Sequence, residues 1–151
     1  MGNTSFTGEY RYSIDSKGRM NMPAKFRHAL DETSEDTFMV TRGNTGNLVA
    51  YSLDRWRQVE ENLRGLSSMK TRYRNFKRQV TRFATPCKFD GQGRIALPQG
   101  LLDFAGIEKE VVIIGIVDEI EIWDPLRLER YEAENQLDEE DIDELADEIL
   151  G

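Results

Sequence analysis

Soft metal ligands are nearly absent from this 151-residue chain, which has one cysteine, Cys87, and one histidine, His28. One of each cannot assemble a Cys/His zinc centre. A lone thiol excludes an internal disulfide framework and suits a reducing cytoplasm. Cys87 reads as a small packed side chain. His28, behind Phe26 and Arg27 in an expected helix, reads as a surface or capping residue. No metal and no cofactor is expected. Long apolar runs are missing too, since none approaches the roughly 18 residues of a spanning helix. The opening "MGNTSFTGEYRYS" lacks the basic-then-apolar order of a secretory signal, and Phe6 stands where a myristoylation motif has Ser or Thr. No membrane association is expected. There is no G-x-S-x-G, and no long Gly-rich loop opens a helix after a parallel strand. With no nucleophile or acid–base constellation in view, the chain is not expected to be an enzyme.

Charge is plentiful and unevenly placed. Taken as a whole, the net charge of −8 argues against a polyanion partner, but it averages two unlike parts. Residues 1–88 carry +7 and residues 89–151 carry −15. Most of the acid lies in "YEAENQLDEEDIDELADEILG", which holds ten acids and no base. Such a split points to a half that faces a polyanion and an acidic tail that does not. A hydrophobic fraction of 38% beside 32% charged residues describes a soluble, folded chain. Its length accommodates one compact domain or two closely packed half-domains.

An internal repeat organises the chain. "IDSKGRMNMPAKFR" is answered by "FDGQGRIALPQGLL" at an offset of 75 residues: Asp15 with Asp90, Gly18 with Gly93, Arg19 with Arg94, Pro23 with Pro98. Further on, at an offset of 72, "YSLDRW" is answered by "WDPLRL". Each half therefore reads as strand, charged turn, strand, Pro-started helix, two strands and a helix. Neither copy can close a core alone, so a pseudo-symmetric fold is expected. The alternation in "YRYSI" and "RMNM" is strand-like, and "EVVIIGIV" has the unbroken apolar look of a buried strand. Pro23 and Pro98 suit the first turns of short helices. Asp54 is the expected N-cap of "DRWRQVEENLRGL", and Asp124–Pro125 starts its counterpart.

Between the halves, Ser67–Phe83 is the most basic stretch, with no acid, and Met69, Tyr73, Phe76 and Val80 recur at helical spacing. It reads as a bridging amphipathic helix whose cations are either solvated or phosphate-facing. From Leu137 the tail either forms an acidic helix, with Ile142, Leu145 and Ile149 on one side, or stays disordered. The expected divisions are a first repeat over 6–66, a basic connecting helix over 67–84, a second repeat over 85–131 and an acidic tail over 132–151.

The chemistry concentrates in the two turns. Lys17, Arg19, Lys25 and Arg27 fall within eleven residues, on a turn and the helix after it. A guanidinium can contact phosphates or grip a guanine edge with two hydrogen bonds, and it does so best when held. Asp15, four residues before Arg19, can hold it, while Gly18 supplies the positive φ of the bend. Asp90, Gly93 and Arg94 repeat the motif with fewer cations around it, Gln92 standing for Lys17 and Leu102 for Arg27. The alternative is that both Asp–Arg pairs only brace their turns.

With these motifs the chain resembles the MraZ family, within the AbrB/SpoVT-like superfamily. "FTGEYRYSIDSKGRMNMPAKFR", "VTRG…LVAYSLDRW" and "DGQGRIALPQGLLDFAGI…VVIIGIVDEIEIWDP" carry the resemblance, which runs from about Phe6 to Tyr131. It implies an α+β, β-rich fold: a pseudo-twofold swapped-hairpin β-barrel built from two repeats with short flanking helices. It implies a cytoplasmic, nucleoid-associated transcriptional regulator, usually a repressor of its own operon of cell-division and cell-wall genes. Such a protein would bind short direct repeats in double-stranded promoter DNA as a closed ring of about eight to twelve subunits. Carried over by position, Arg19 is the DNA-contacting arginine, Lys17 shares its loop and Asp15 orients it. Lys25, Arg27 and Arg94 join the expected DNA-binding set, with Asp90, Gly18 and Gly93 shaping the turns. The resemblance transfers nothing beyond Tyr131. A second reading keeps the barrel but makes the protein an interaction or antitoxin-like module that works through its acidic tail.

Overall fold

A computed structural model of the chain describes residues 5–151. The first half runs β1 (Phe6–Ser13), β2 (Arg19–Asn21), α1 (Ala24–His28), a single 3-10 turn (Glu32–Ser34), β3 (Thr37–Arg42), β4 (Leu48–Ser52) and α2 (Leu53–Arg64). Helix α3 (Thr71–Thr81) bridges to the second half. That half runs β5 (Thr85–Lys88), β6 (Arg94–Ala96), α4 (Gln99–Ala105), β7 (Glu110–Val117), β8 (Ile120–Trp123) and α5 (Pro125–Glu134), before a last helix, α6 (Glu139–Ile149). The two halves therefore follow the order that the repeat predicts.

Three helix starts differ from expectation. Pro23 and Pro98 are the N-caps of α1 and α4 rather than residues of their first turns. Both keep an extended ψ, 136° and 143°, because the chain is still leaving a strand there. The N-cap of α2 is Ser52, not Asp54: its hydroxyl accepts from the Arg55 amide at 3.2 Å. Strand β4 extends through Ser52, so the change to helical geometry falls two residues before the acid. Asp54 lies within the first turn, where its charge still favours the helix N-terminus. Asp124, 72 residues after Ser52, caps α5 by accepting from the Arg127 amide at 3.0 Å, with Pro125 opening the helix.

The strands do not sort by half. A six-stranded antiparallel sheet has the order β1-β7-β8-β4-β3-β5, and a two-stranded sheet pairs β2 with β6. Strand β1 lies wholly against β7, from Phe6 opposite Val117 to Ser13 opposite Glu110. Strands β4 and β8 join the halves a second time, with Leu48 opposite Ile122. The core forms where these elements face one another: Phe6, Met20, Phe26, Phe38, Val40, Leu48, Ile95, Ile113, Ile120 and Ile122 are buried from solvent. Cys87 is among them, and burial pushes its thiol up to about 11.

The apolar run of β7 divides by face. Val111 and Ile113 point into the main core, while Val112 packs with Trp123 and Leu128 beneath α5. Its far end escapes both layers, and Ile116 and Val117 are exposed where β7 turns into β8. Val117 closes that turn at φ 74°, with the Asp118 amide donating to the Ile116 carbonyl across it. A β-branched side chain at positive φ is strained by about 1–3 kcal/mol. Val117→Gly is therefore expected to raise the unfolding free energy by about 1 kcal/mol, read from the urea midpoint at constant m-value.

Candidate nucleic-acid interface

The first charged turn is closed by its own acid. Asp15 Oδ1 accepts from the backbone amides of Lys17 and Arg19, both at 2.9 Å, and Oδ2 accepts from Arg19 Nε at 2.7 Å. The amide of Asp15 donates to the Arg19 carbonyl, and that of Gly18 to the Asp15 carbonyl. Gly18 takes φ +75°, which lets the chain reverse over so few residues. The second turn repeats this bond for bond. Asp90 Oδ1 accepts from the amides of Gln92 and Arg94 at 2.9 and 3.0 Å, and Oδ2 from Arg94 Nε at 3.0 Å.

Both carboxylates are stabilised as anions. The Arg19 amide, with further help from the Arg19 side chain and the Lys17 amide, brings the Asp15 carboxyl down to about 2 against the opposing effect of desolvation. The Arg94 amide is the main cause of the same downward shift at Asp90.

The structure also brings the two turns together, which the repeat alone does not reveal. Strands β2 and β6 pair with Arg19 opposite Ala96 and Asn21 opposite Arg94. At the ends of that ribbon the Met22 amide donates to the Gly93 carbonyl, and the Leu97 amide to the Gly18 carbonyl. Arg94 Nη1 thereby comes to 4.0 Å from Asp15 Oδ2, so one carboxylate stands beside both arginines.

Each turn glycine is covered by the helix of the other half. A Cβ on Gly93 would lie 2.6 Å from Cζ of Arg27, and one on Gly18 only 3.2 Å from Cδ1 of Leu102. Arg27 and Leu102 thus fill equivalent places, one polar and one apolar. Arg27 is half-buried, with Nε donating to the Met22 carbonyl at 3.0 Å and its guanidinium 5.8 Å from the Phe89 ring centre. Lys25 is exposed but reaches back to β1, donating to the Thr7 carbonyl and hydroxyl at 3.3 and 3.1 Å. The Lys17 ammonium has no partner among the described residues.

The Arg19 side chain is 32% exposed, and only its Nε is bonded within the chain. Its two terminal nitrogens have no hydrogen-bond partner among the described residues. They form the free end of a fork whose other end is fixed, beside the exposed Lys17. Such a fork can take two acceptors at once from a phosphate or a guanine edge. Nothing comparable assembles for acid–base catalysis, and no group of His, Cys, Asp and Glu among the described residues could hold a metal ion. No helix among them is long and apolar enough to cross a membrane.

Comparison with known proteins agrees with the repeated turns. The family model described as "MraZ protein, putative antitoxin-like" matches residues 5–79 and again 81–148. The chain belongs to the MraZ family. The second matched span continues past Tyr131 into α6, so the acidic end lies within the MraZ pattern, although its turn motifs stop earlier. The chain is 42% identical to the transcriptional regulator MraZ of Pediococcus pentosaceus and 40% identical to that of Natranaerobius thermophilus. Each comparison covers 145 residues, 96% of both chains. It is 40% identical to that of Acetivibrio thermocellus over 139 residues, 92% of this chain and 94% of the other. All three are named as regulators and none as an enzyme.

The lowered carboxyl of Asp15 links the turn to pH. A group depressed on folding stabilises fully above its unfolded value, 3.8, and loses that contribution as pH falls through about 2. Asp15→Asn is therefore expected to lose less stability than the wild type between about pH 5 and about pH 2.5, measured by urea unfolding at each pH.

Proposed function

We infer that this chain is a sequence-specific, DNA-binding transcriptional regulator and not an enzyme. The observation that carries the reading is the paired turn: two arginines, each held through Nε by its own aspartate, both stand beside Asp15 across the β2–β6 ribbon. In this reading Arg19 and Lys17 make the principal contacts with duplex DNA, and Arg94 lies beside them. Lys25 and Arg27 contribute positive potential while bracing β1 and the second turn. Asp15 and Asp90 orient the forks, with Gly18 and Gly93 setting the bends. The interleaved strands and reciprocal turns support a pseudo-twofold swapped-hairpin barrel of two repeats, bounded as the repeat suggests.

A single protomer offers few cations, so useful affinity calls for several protomers on one duplex. A ring of about eight to twelve subunits on short direct repeats would make successive contacts intramolecular and multiply their effect. The expected targets are repeats upstream of the chain's own operon, where occupancy would repress cell-division and cell-wall genes. The protein would then reside on the nucleoid. A second reading, an interaction module acting through the tail, draws on the exposed apolar face of α6. It predicts no salt-dependent affinity for duplex DNA.

Footprinting and anisotropy with the DNA upstream of the gene test the first reading. Affinity should fall steeply as salt rises, because each phosphate contact releases counterions. Arg19→Ala should weaken binding at least about a hundredfold at fixed salt, through loss of a bidentate contact repeated in every bound subunit. Its sedimentation should be unchanged. Wild-type affinity in that variant would remove Arg19 from the interface.

A further inference from the structure

Two helices bury none of their described residues, and they are opposite in charge. Helix α3 buries none of its residues. Between Lys70 and Arg82 it carries six cations and no acid. Among the described residues no carboxylate pairs with any of them. Met69 and Phe76, seven residues apart, are 93% and 48% exposed, and Arg72 between them has no hydrogen bond or ion pair among the described residues. Between α3 and α2 lies an open groove of about 270 Å3, lined by Leu63 with Glu60, Arg64, Lys77 and Thr81.

Helix α6 inverts this composition. From Asp138 to Glu148 it carries eight acids and no base. Ile142, Leu145 and Ile149 project from one side and are 50%, 41% and 71% exposed. Its only side-chain hydrogen bond among the described residues is the Asp138 cap to the Asp141 amide. An 11-residue helix is shorter than the roughly 12–15 residues needed for marginal stability in water. Acid faces acid at four-residue spacing in Glu139–Asp143, Glu140–Glu144, Asp143–Asp147 and Glu144–Glu148, which weakens it further. A lasting α6 needs a surface that is both apolar and cationic.

We propose that α6 of one copy docks its Ile142–Leu145–Ile149 face on α3, and on the groove beside it, in a second copy of this chain. Three features select that occupant. The charges are complementary and both belong to this sequence. The two helices are both 11 residues long, about 16 Å, so their stripes match along their whole length. Helix α6 buries nothing against its own chain, which leaves its face available to another. The contact would set eight acids against six cations around a small apolar seam. It is independent of the DNA reading, since it uses none of the residues of the Asp–Arg turns.

Site-directed disulfide trapping tests it. One full-length chain carries Phe76→Cys, and a second, distinguished by a purification tag, carries Leu145→Cys. The native Cys87 is buried and its thiol is pushed up to about 11, so it contributes little thiolate. Mixing under mild oxidation is expected to give a tagged–untagged disulfide at least about tenfold above that from a Leu126→Cys control on α5. Adding Lys70→Glu and Arg72→Glu to the first chain should lower the yield, and Asp141→Lys with Glu148→Lys in the second should restore it. Yield at the control level, or yield indifferent to charge reversal, overturns the proposal. A doubly substituted chain that closes only on itself also overturns it, by placing α6 on its own α3. Complete prevention of the cross-link when oxidation is run in the presence of a duplex DNA that no longer binds the Lys70→Glu, Arg72→Glu chain would make α3 a DNA surface instead. Failure of Arg19→Ala to affect DNA affinity would leave this result untouched.

Discussion

The structure depends on one short antiparallel ribbon. Strands β2 and β6 are only three residues each, yet the amides just beyond them reach across to the opposite turn, Met22 to Gly93 and Leu97 to Gly18. Each charged turn is thus completed by backbone from the other half of the chain. A ribbon this short has little stability of its own. It persists because Met20 and Ile95, paired across it, are buried in the common core. Each turn closes on its own hydrogen bonds, and the other half supplies the bond that fixes where it sits.

That reciprocity explains residues that look unrelated in the sequence. Arg27 and Leu102 occupy corresponding positions and cover each other's glycines. The cation over the second turn also binds the Met22 carbonyl, so its packing and hydrogen bonding are inseparable. Leucine at the equivalent place removes a charge from one side of the ribbon only. The two turns thus draw added charge from different places: Arg27 supplies it at the second, where Gln92 is neutral, and Lys17 supplies it at the first, where Leu102 is neutral.

Charge is partitioned on the larger scale as well. The cations of α3 and the acids of α6 sit on helices that bury almost nothing, and like charges crowd within each. A net charge of −8 therefore says little about any one surface. The DNA reading concerns a small, well-braced cationic edge, whereas the α3–α6 pair offers a broader and softer attraction between helices. Geometry separates the two: the guanidinium of Arg19 is held by a carboxylate at 2.7 Å, while no carboxylate among the described residues holds Arg72.

The sequence by itself determined the order of elements, the closure of each turn and the amphipathic pattern of the helices. These depend on contacts within a few residues, such as Asp15 with Arg19 or Asp124 with Arg127, and local spacing encodes them directly. It pointed to Asp54 as the cap of α2 where the structure has Ser52, because the choice depends on how far β4 continues, and that is decided by its pairing with β3 and β8. The meeting of the two turns, the cover of Gly93 by Arg27 and the division of β7 between two packed layers were decided only by tertiary structure. Each joins residues far apart in the chain, and an offset of 75 identifies likeness without specifying contact. Sheet pairing supplied the contact, because burying the apolar faces of both halves in one core leaves the two charged bends side by side.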